Sequence, residues 1–476
     1  MSYEKRANYE AQWLFPPSLE DLLGKEHPAR FIRELVDGLE LSSLGIRQRE
    51  SEEGRPNYAG DLLMKAWLYG YFHKIRATRP LEKACMNDIG LLWLTGLEKP
   101  DHNTLWRFWR DNKKAIRQVF KVSLQIAAKA ELVGLVLHAV DGTKIETAAA
   151  RGHACHRKDV EALLANIEQV IDEVMKETET AQADNGWEYR LPEHLHDRQE
   201  LQGMIQERRR EMDQQQRDQV MPADVDSRMM KLADGKKRFG YNAQIVVDEQ
   251  SGLIVAQDVV QDESDNYQLT PMLERVKENL GRAADESVAD GGYKAPSEMA
   301  RAEQLGQSVL VNLGKPTDGD GEYSAARFIY NEAQDHCVCP RGEILRFWRS
   351  KPKDHVQPTT VRLYRCQSYA ECPVRWQCSE SKKGRTVEIG PHYQAVFRQR
   401  LKQQDPDKAL LLKKRGAIVE RVFGWIKQEL GFRRWTVRGL DNVATQWAMI
   451  CTTINLRVLY RRWWNGTVVL KAHGVR

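Results

Sequence analysis

The chain has 476 residues, too many for one ordinary core and enough for two or three domains. Its 41% hydrophobic and 29% charged residues are normal for a folded soluble protein. No run of some 18 apolar residues lacks charge and the first nine residues are polar, so neither a membrane span nor an export signal is expected, and the default compartment is cytoplasmic.

Residues 1–130 read as an all-helical domain. Phe31, Ile32, Leu35, Val36 and Leu39 recur at spacings of three and four, and Leu62 starts a second apolar-periodic segment after the break at Arg55-Pro56-Asn57. Pro80 sits near the start of a third helix, Lys99-Pro100-Asp101 closes a fourth segment, and Thr104 is placed to cap a helix running from Leu105 to about Ala130. At Leu132 the pattern changes to a β-rich run ending at Val140. Asp141-Gly142 interrupts it, and Thr143 to Thr147 resumes extended character, which reads as a hairpin.

Residues 155–220 carry two charged helical stripes, Val160, Leu163, Leu164, Ile167, Ile171 and Val174 in one and Leu201, Ile205 and Met212 in the other. Asn185-Gly186 and Leu191-Pro192 lie between them, as in an antiparallel helical hairpin. Strands are expected over Tyr241 to Val247, Leu253 to Val260, Ser287 to Asp290 and Ser308 to Leu313. Helices are expected over Tyr267 to Leu280, Pro296 to Leu305, Ala409 to Leu430 and Val443 to Arg462. A cysteine-rich segment, 320–385, interrupts this α/β pattern, and 463–476 forms a tail.

Net charge is only +5, yet roughly 17 Lys and Arg face about 5 acids from residue 395 onward. Such a tail suits phosphates, although a solvated helical surface has the same composition.

Three carboxylates have suggestive addresses. Asp141 and Asp290 each follow an apolar strand, and Glu420 lies on a long helix whose apolar face is Ile418, Val419, Val422, Phe423 and Ile426. Two strand ends and a helix can gather three carboxylates, as two-metal phosphodiester chemistry requires. Taken singly, each has a plainer reading: Asp-Gly as a turn, Glu420 as a solvated helix residue. Glu420 and Lys427 are seven apart, about 20° in azimuth and roughly 10 Å along an ideal helix axis, so both fall at the edge of the apolar face.

Five of the eight cysteines crowd between 337 and 378. Clustered thiols in a large chain point to a metal rather than to disulfides. Cys339, Cys366, Cys372 and Cys378 form the preferred set for a structural Zn²⁺, with Cys337 or His336 as substitutes; buried reduced thiols are the other reading. A zinc ion would stabilise an insertion too small for a core of its own.

Several motifs then combine. Gly54-Arg-Pro, Leu68-Tyr-Gly-Tyr71, Leu81-Glu-Lys-Ala-Cys85, Pro100-Asp-His-Asn-Thr-Leu105, Val140-Asp-Gly-Thr-Lys144, Gly240-Tyr-Asn-Ala-Gln244 and Ala289-Asp-Gly-Gly-Tyr-Lys294 occur in this order, followed by Arg415, Val419-Glu420, Phe423-Gly424 and Lys427. Together they resemble bacterial insertion-sequence transposases of the DDE type, more narrowly the branch named after insertion sequence eleven-eighty-two. The resemblance implies a ribonuclease H-like catalytic domain over 131–462, with the helical and cysteine-rich segments as insertions and the helical N-terminal domain helping to bind DNA. It implies Asp141, Asp290 and Glu420 as the catalytic triad around two Mg²⁺ (or Mn²⁺) ions, acting on terminal inverted repeats and target DNA, with a homodimer on the paired ends. A non-catalytic DNA-binding derivative and a ribonuclease H-like nuclease that cuts without joining are the alternatives.

Two positions depart from the family's pattern. Leu412 stands where a Tyr is usual ahead of the Glu motif, and Tyr369 falls where relatives have a middle cysteine. Around the Glu helix, Arg415, Lys427, Arg433 and Arg434 are the phosphate-binding candidates, and Tyr293 and Lys294 are close enough to Asp290 to meet the scissile strand. Trp425 and Trp435 are expected to pack in the core rather than stack on bases, and His138 is expected to be structural.

Overall fold

The computed structural model describes residues 18–46, 57–149, 155–162, 217–221, 223–315, 321–352 and 359–470, with Gly319 and scattered positions between 164 and 214. Six helices open the fold: α1 (Pro28–Asp37), α2 (Gly60–Phe72), α3 (Thr78–Asn87), α4 (Ile89–Leu94), α5 (His102–Asp111) and α6 (Lys113–Lys129). Pro28 at the first helical position starts α1, which buries Phe31, Ile32, Leu35 and Val36 as their spacing requires. The expected helix from Leu105 to Ala130 is two helices. The Asp101 carboxylate, not Thr104, caps the first by accepting from the Thr104 amide at 2.6 Å. Asn112 leaves the helical region between them, and its side-chain amide donates to the Phe108 carbonyl.

The main sheet contains β1 (Leu137–Glu146), β4 (Arg228–Lys231), β5 (Lys237–Asp248), β6 (Ile254–Val260), β7 (Glu286–Ala289) and β8 (Val309–Val311). Its order is β4-β5-β1-β7-β8, with β6 also paired to β5. β1 runs antiparallel to β5 and parallel to β7, and β7 runs parallel to β8.

The hairpin expected at Asp141-Gly142 does not exist, because β1 passes straight through it with Asp141 opposite Ile245 and Gly142 opposite Gln244. Gly142 has no positive φ. A Cβ there would lie 2.3 Å from Gln244 Nε2 and 2.9 Å from Asp265 Oδ1. Glycine serves close side-chain approach at this point, not chain reversal.

Between β1 and β4, β2 (Cys155–His156) pairs with β3 (Gln219–Val220), and Val160, Leu164, Ile205, Met212 and Val220 form a small core beside them. The rest of the helical hairpin, including Asn185-Gly186 and Leu191-Pro192, lies outside the described residues.

Two further helices, α7 (Leu269–Leu280) and α8 (Pro296–Gln304), accompany the main sheet. After β8 comes a second, antiparallel sheet: β9 (Ile329–Asn331), β10 (His336–Val338), β11 (Ile344–Pro352), β12 (Thr360–Cys366) and β13 (Thr386–Ile389), adjacent in the order β13-β12-β11-β10-β9. Contrary to expectation it has its own core, built from Phe328, Cys337, Leu345, Tyr364, Val387 and Ile389. Two aromatic and three aliphatic side chains supply most of this core.

Helices α9 (Tyr393–Gln404), α10 (Pro406–Gly424) and α11 (Leu440–Trp464) complete the chain. α10 ends in a π-helical turn, Trp425–Glu429. The N-terminal helices, main sheet and C-terminal helices share one continuous core. Arg117 and Lys113 of α6 pair with Asp441 at 2.6 and 2.9 Å, and Arg76 contacts the Leu430 carbonyl.

Candidate active site

Parallel pairing of β1 with β7 places Val140 opposite Ala289. The residues that follow, Asp141 and Asp290, are therefore neighbours at the edge where β7 ends, Asp141 within β1 and Asp290 just past β7. Asp290 also caps a short 3₁₀ turn, accepting from the Gly292 amide at 2.8 Å. Across this edge lies α10, which delivers Arg415: its guanidinium is 2.8 Å from Asp141 and 3.9 Å from Asp290.

The Asp141 side chain is only 18% exposed, against 39% for Asp290. Burial pushes its carboxyl up to about 6; Arg415 opposes this, and the neighbouring Asp290 adds to it. Lys427 is held below its ordinary range by burial, with Asp141 pulling it back up. These two residues thus share a desolvated space.

Glu420 stands differently. It is exposed and makes no hydrogen bond or ion pair among the described residues. Its carboxyl lies back along the helix, 3.4 Å from where a Cβ on Gly416 would be. Ideal helical spacing put Glu420 and Lys427 at one edge. The π turn intervenes, and the structure sends Lys427 toward Asp141 while Glu420 faces solvent.

Among the described residues, no group of three or more His, Cys, Asp or Glu is placed to hold a metal ion. Two aspartates do come together, with the Arg415 guanidinium between them, and their carboxylate oxygens are the donor type that a Mg²⁺-type ion takes.

Several expected contacts take other forms. Tyr293 is fully buried and donates its hydroxyl to Gln244 Oε1, so it supports the site from beneath and has no surface for a DNA strand. Arg434 donates to the Thr147 and Ala149 carbonyls at 2.8 and 2.5 Å, tying down the end of β1. Arg433 and Lys294 remain exposed. Trp435 is buried, its indole donating to the Ile145 carbonyl, and His138 is buried 3.6 Å from Asp248.

Sequence reasoning missed Asp265. It follows β6 in a polar loop and sits close to Gly142 and Gly292, the residues beside the two aspartates. Its Oδ1 accepts from Asn242 at 2.6 Å and Gln244 at 2.8 Å, and its Oδ2 pairs with Lys144 at 2.9 Å. Gln244 also donates to Asn242 Oδ1 at 2.9 Å. A signal existed: Asn242 and Gln244 are two amides on one face of an otherwise apolar strand, and both are fully buried. Buried amides need partners, and a nearby carboxylate was the obvious candidate.

The cysteines gather in one corner of the second sheet. Burial raises the Cys366 and Cys378 thiols, and Cys339 and Cys372 add to the effect on both. Cys337 points into the core, and burial pushes its thiol up to about 12.

Residues 338–460 match the family described as Transposase DDE domain, and residues 17–111 match the family described as Transposase domain (DUF772). Both matches are typical of insertion-sequence transposases of the DDE type. The first match contains Arg415, Glu420 and Lys427, while Asp141 and Asp290 precede it. No curated protein matches the chain. A DDE domain is that of a polynucleotidyl-transferase type of enzyme, and transposase domains imply DNA as the partner. Among the described residues, no helix is long and apolar enough to cross a membrane.

Proposed function

We propose that this chain is the transposase of an insertion sequence, binding its terminal inverted repeats and catalysing metal-dependent strand cleavage and strand transfer, with Asp141, Asp290 and Glu420 as the metal-holding carboxylates. The observation that carries the proposal is the pair of aspartates on neighbouring parallel strands, bridged by one guanidinium from the helix bearing Glu420. The strand sequence β6-β5-β1-β7-β8, antiparallel through β1 and parallel beyond it, supports a ribonuclease H-like reading.

When bound, two Mg²⁺ or Mn²⁺ ions would supply activation of the attacking oxygen and stabilisation of the leaving one. The chain's own residues prepare for this. Asp265 fixes Lys144 beside the strand ends, and the Gln244–Tyr293 contact stiffens the floor. Arg415, released from the aspartates, and Lys427 are placed to meet backbone phosphates. Glu420, exposed and unpartnered, is free to complete the set from α10.

The test incubates purified protein with the DNA ends flanking its gene, in Mg²⁺ or EDTA, beside Glu420→Gln and Asp141→Asn. Metal-dependent cutting at the ends, lost in both variants, is expected, with joined products on adding target DNA. Tight binding without cutting in any metal would overturn the catalytic reading. Cutting without joined products would favour a nuclease.

A further inference from the structure

The second sheet carries a feature that neither the cysteines nor the carboxylates explain. Along β11, Arg346, Phe347, Trp348 and Arg349 are consecutive and all exposed. A β-bulge between Phe347 and Arg349 makes Trp348 the extra residue, so the indole leaves the regular alternation and stands on the surface at 42% exposure. Arginines surround it. The Arg365 guanidinium lies 3.4 Å from the Trp348 ring centre, the Arg349 guanidinium lies 4.5 Å away, and the Arg362 guanidinium lies 4.7 Å from the Phe347 ring.

The charge is unbalanced. Arg346 and Arg365 face each other directly across β11 and β12, an arrangement of like charges that costs stability. Arg346, Arg349 and Arg365 have no acidic partner among the described residues, and Arg365 Nε has no acceptor. Nearby cations are neutralised in the ordinary way: Lys351 by Glu388, and Arg362 by Asp335 at 2.6 Å. Three unmatched arginines around one exposed indole ask for a ligand that is both anionic and planar.

We infer that this face of the second sheet binds single-stranded DNA, with Trp348 stacking on an unpaired base and Arg346, Arg349 and Arg365 meeting the phosphates. Charge complementarity argues for a polyanion, and the exposed indole argues for a single strand, since bases in a duplex keep their faces stacked on each other. The inference extends the transposase reading by giving the cysteine-rich sheet a hold on strand DNA away from the carboxylates.

The experiment titrates the full chain, without added metal, into fluorescein-labelled oligo(dT) of about twenty nucleotides and follows anisotropy. Trp348→Ala is expected to weaken binding about tenfold, the loss of a stacked base, while Trp348→Phe keeps most of the affinity. With three arginines engaged, the logarithm of the affinity should fall with the logarithm of salt at a slope near −2, and Arg349→Gln should reduce its magnitude by about 0.7. Arg349 is exposed, so that variant reads the surface even if the tryptophan variants fold poorly. Absence of oligo(dT) binding by the wild type at low salt overturns the inference, as do unchanged affinity in Trp348→Ala and unchanged slope in Arg349→Gln. The transposase reading fails on a different result, the absence of metal-dependent cutting at the terminal duplex, which leaves the oligo(dT) result intact.

Discussion

The two sheets treat their polar residues in opposite ways. In the main sheet, β5 is buried along nearly its whole length, and the polar groups facing the strand ends are satisfied several times over: Asp265 alone takes contacts from Asn242, Gln244 and Lys144. In the second sheet, most of β11 is exposed, and the arginines on it have no acids to answer them. Buried, over-satisfied polar groups fix positions, which a reaction centre needs. Exposed and unbalanced charge leaves interaction free energy for a partner to collect. One architecture holds still while the other waits.

The largest effects should come from the cores. Leu310 and Leu345 are both fully buried, Leu310 in the main core and Leu345 in the small one. Truncating either to Ala should cost about 2–5 kcal/mol locally. Leu310→Ala is expected to lower the main thermal transition of the whole chain. Leu345→Ala should instead speed hydrogen exchange and proteolysis within 329–389 and leave the main transition nearly in place. Equal lowering of the main transition by both would show that the sheets unfold as one unit, and the comparison would lose its thermodynamic basis.

Next in size is the loss of support at the reaction centre. Asp265→Asn should reduce metal-dependent end cleavage by roughly 10–100-fold, the usual cost of removing a residue that orients ligands, because its new amide would meet Lys144 donor to donor. Asp335 is the matching carboxylate of the second sheet, taking contacts from Tyr330, Tyr364 and Arg362. Asp335→Asn should soften that sheet and leave the cleavage rate per folded molecule unchanged. If the two substitutions reduced cleavage alike, Asp265 would have no special place beside the strand ends.

The same contrast explains what the sequence made legible. Strands of the main sheet announce themselves because they are apolar runs, and Asp141, Asp290 and Glu420 stood out as acids interrupting apolar patterns. Asp265 did not, since it lies among Asp262, Glu263 and other polar loop residues and is singled out only when β5 folds back to face it. The break at Asn112, the straight passage of β1 through Asp141-Gly142 and the π turn at Trp425 were also invisible. Each is decided by tertiary packing that overrides a local preference. In the second sheet the cysteine spacing drew attention from Phe328, Leu345 and Tyr364, which supply the core, and from the Arg-Phe-Trp-Arg run on its surface.

The smallest effect concerns protons at Asp141. Its carboxyl has an ordinary value near 3.8 and is pushed up to about 6 in the folded chain, burial being the leading cause. The folded state therefore binds this proton more tightly than the unfolded state. The associated stability is fully present below about pH 4 and is lost as pH rises to about 6, beyond which the penalty of the buried anion stays constant. The ceiling is about 3 kcal/mol, and residual solvent contact should bring it to roughly 1–2 kcal/mol. Asp141→Asn removes the titration, so its melting temperature should equal that of the wild type near pH 4, exceed it progressively up to pH 6, and hold that lead to pH 8. Added Mg²⁺ should raise the wild type at pH 8 and leave the variant unmoved, because a bound cation offsets the penalty only where the carboxylate remains. A variant less stable than the wild type at pH 8 would mean that the Arg415 pair outweighs burial. Asp141 and Arg415 would then be a closed structural ion pair, no more poised for a ligand than the satisfied Lys351–Glu388 pair of the second sheet.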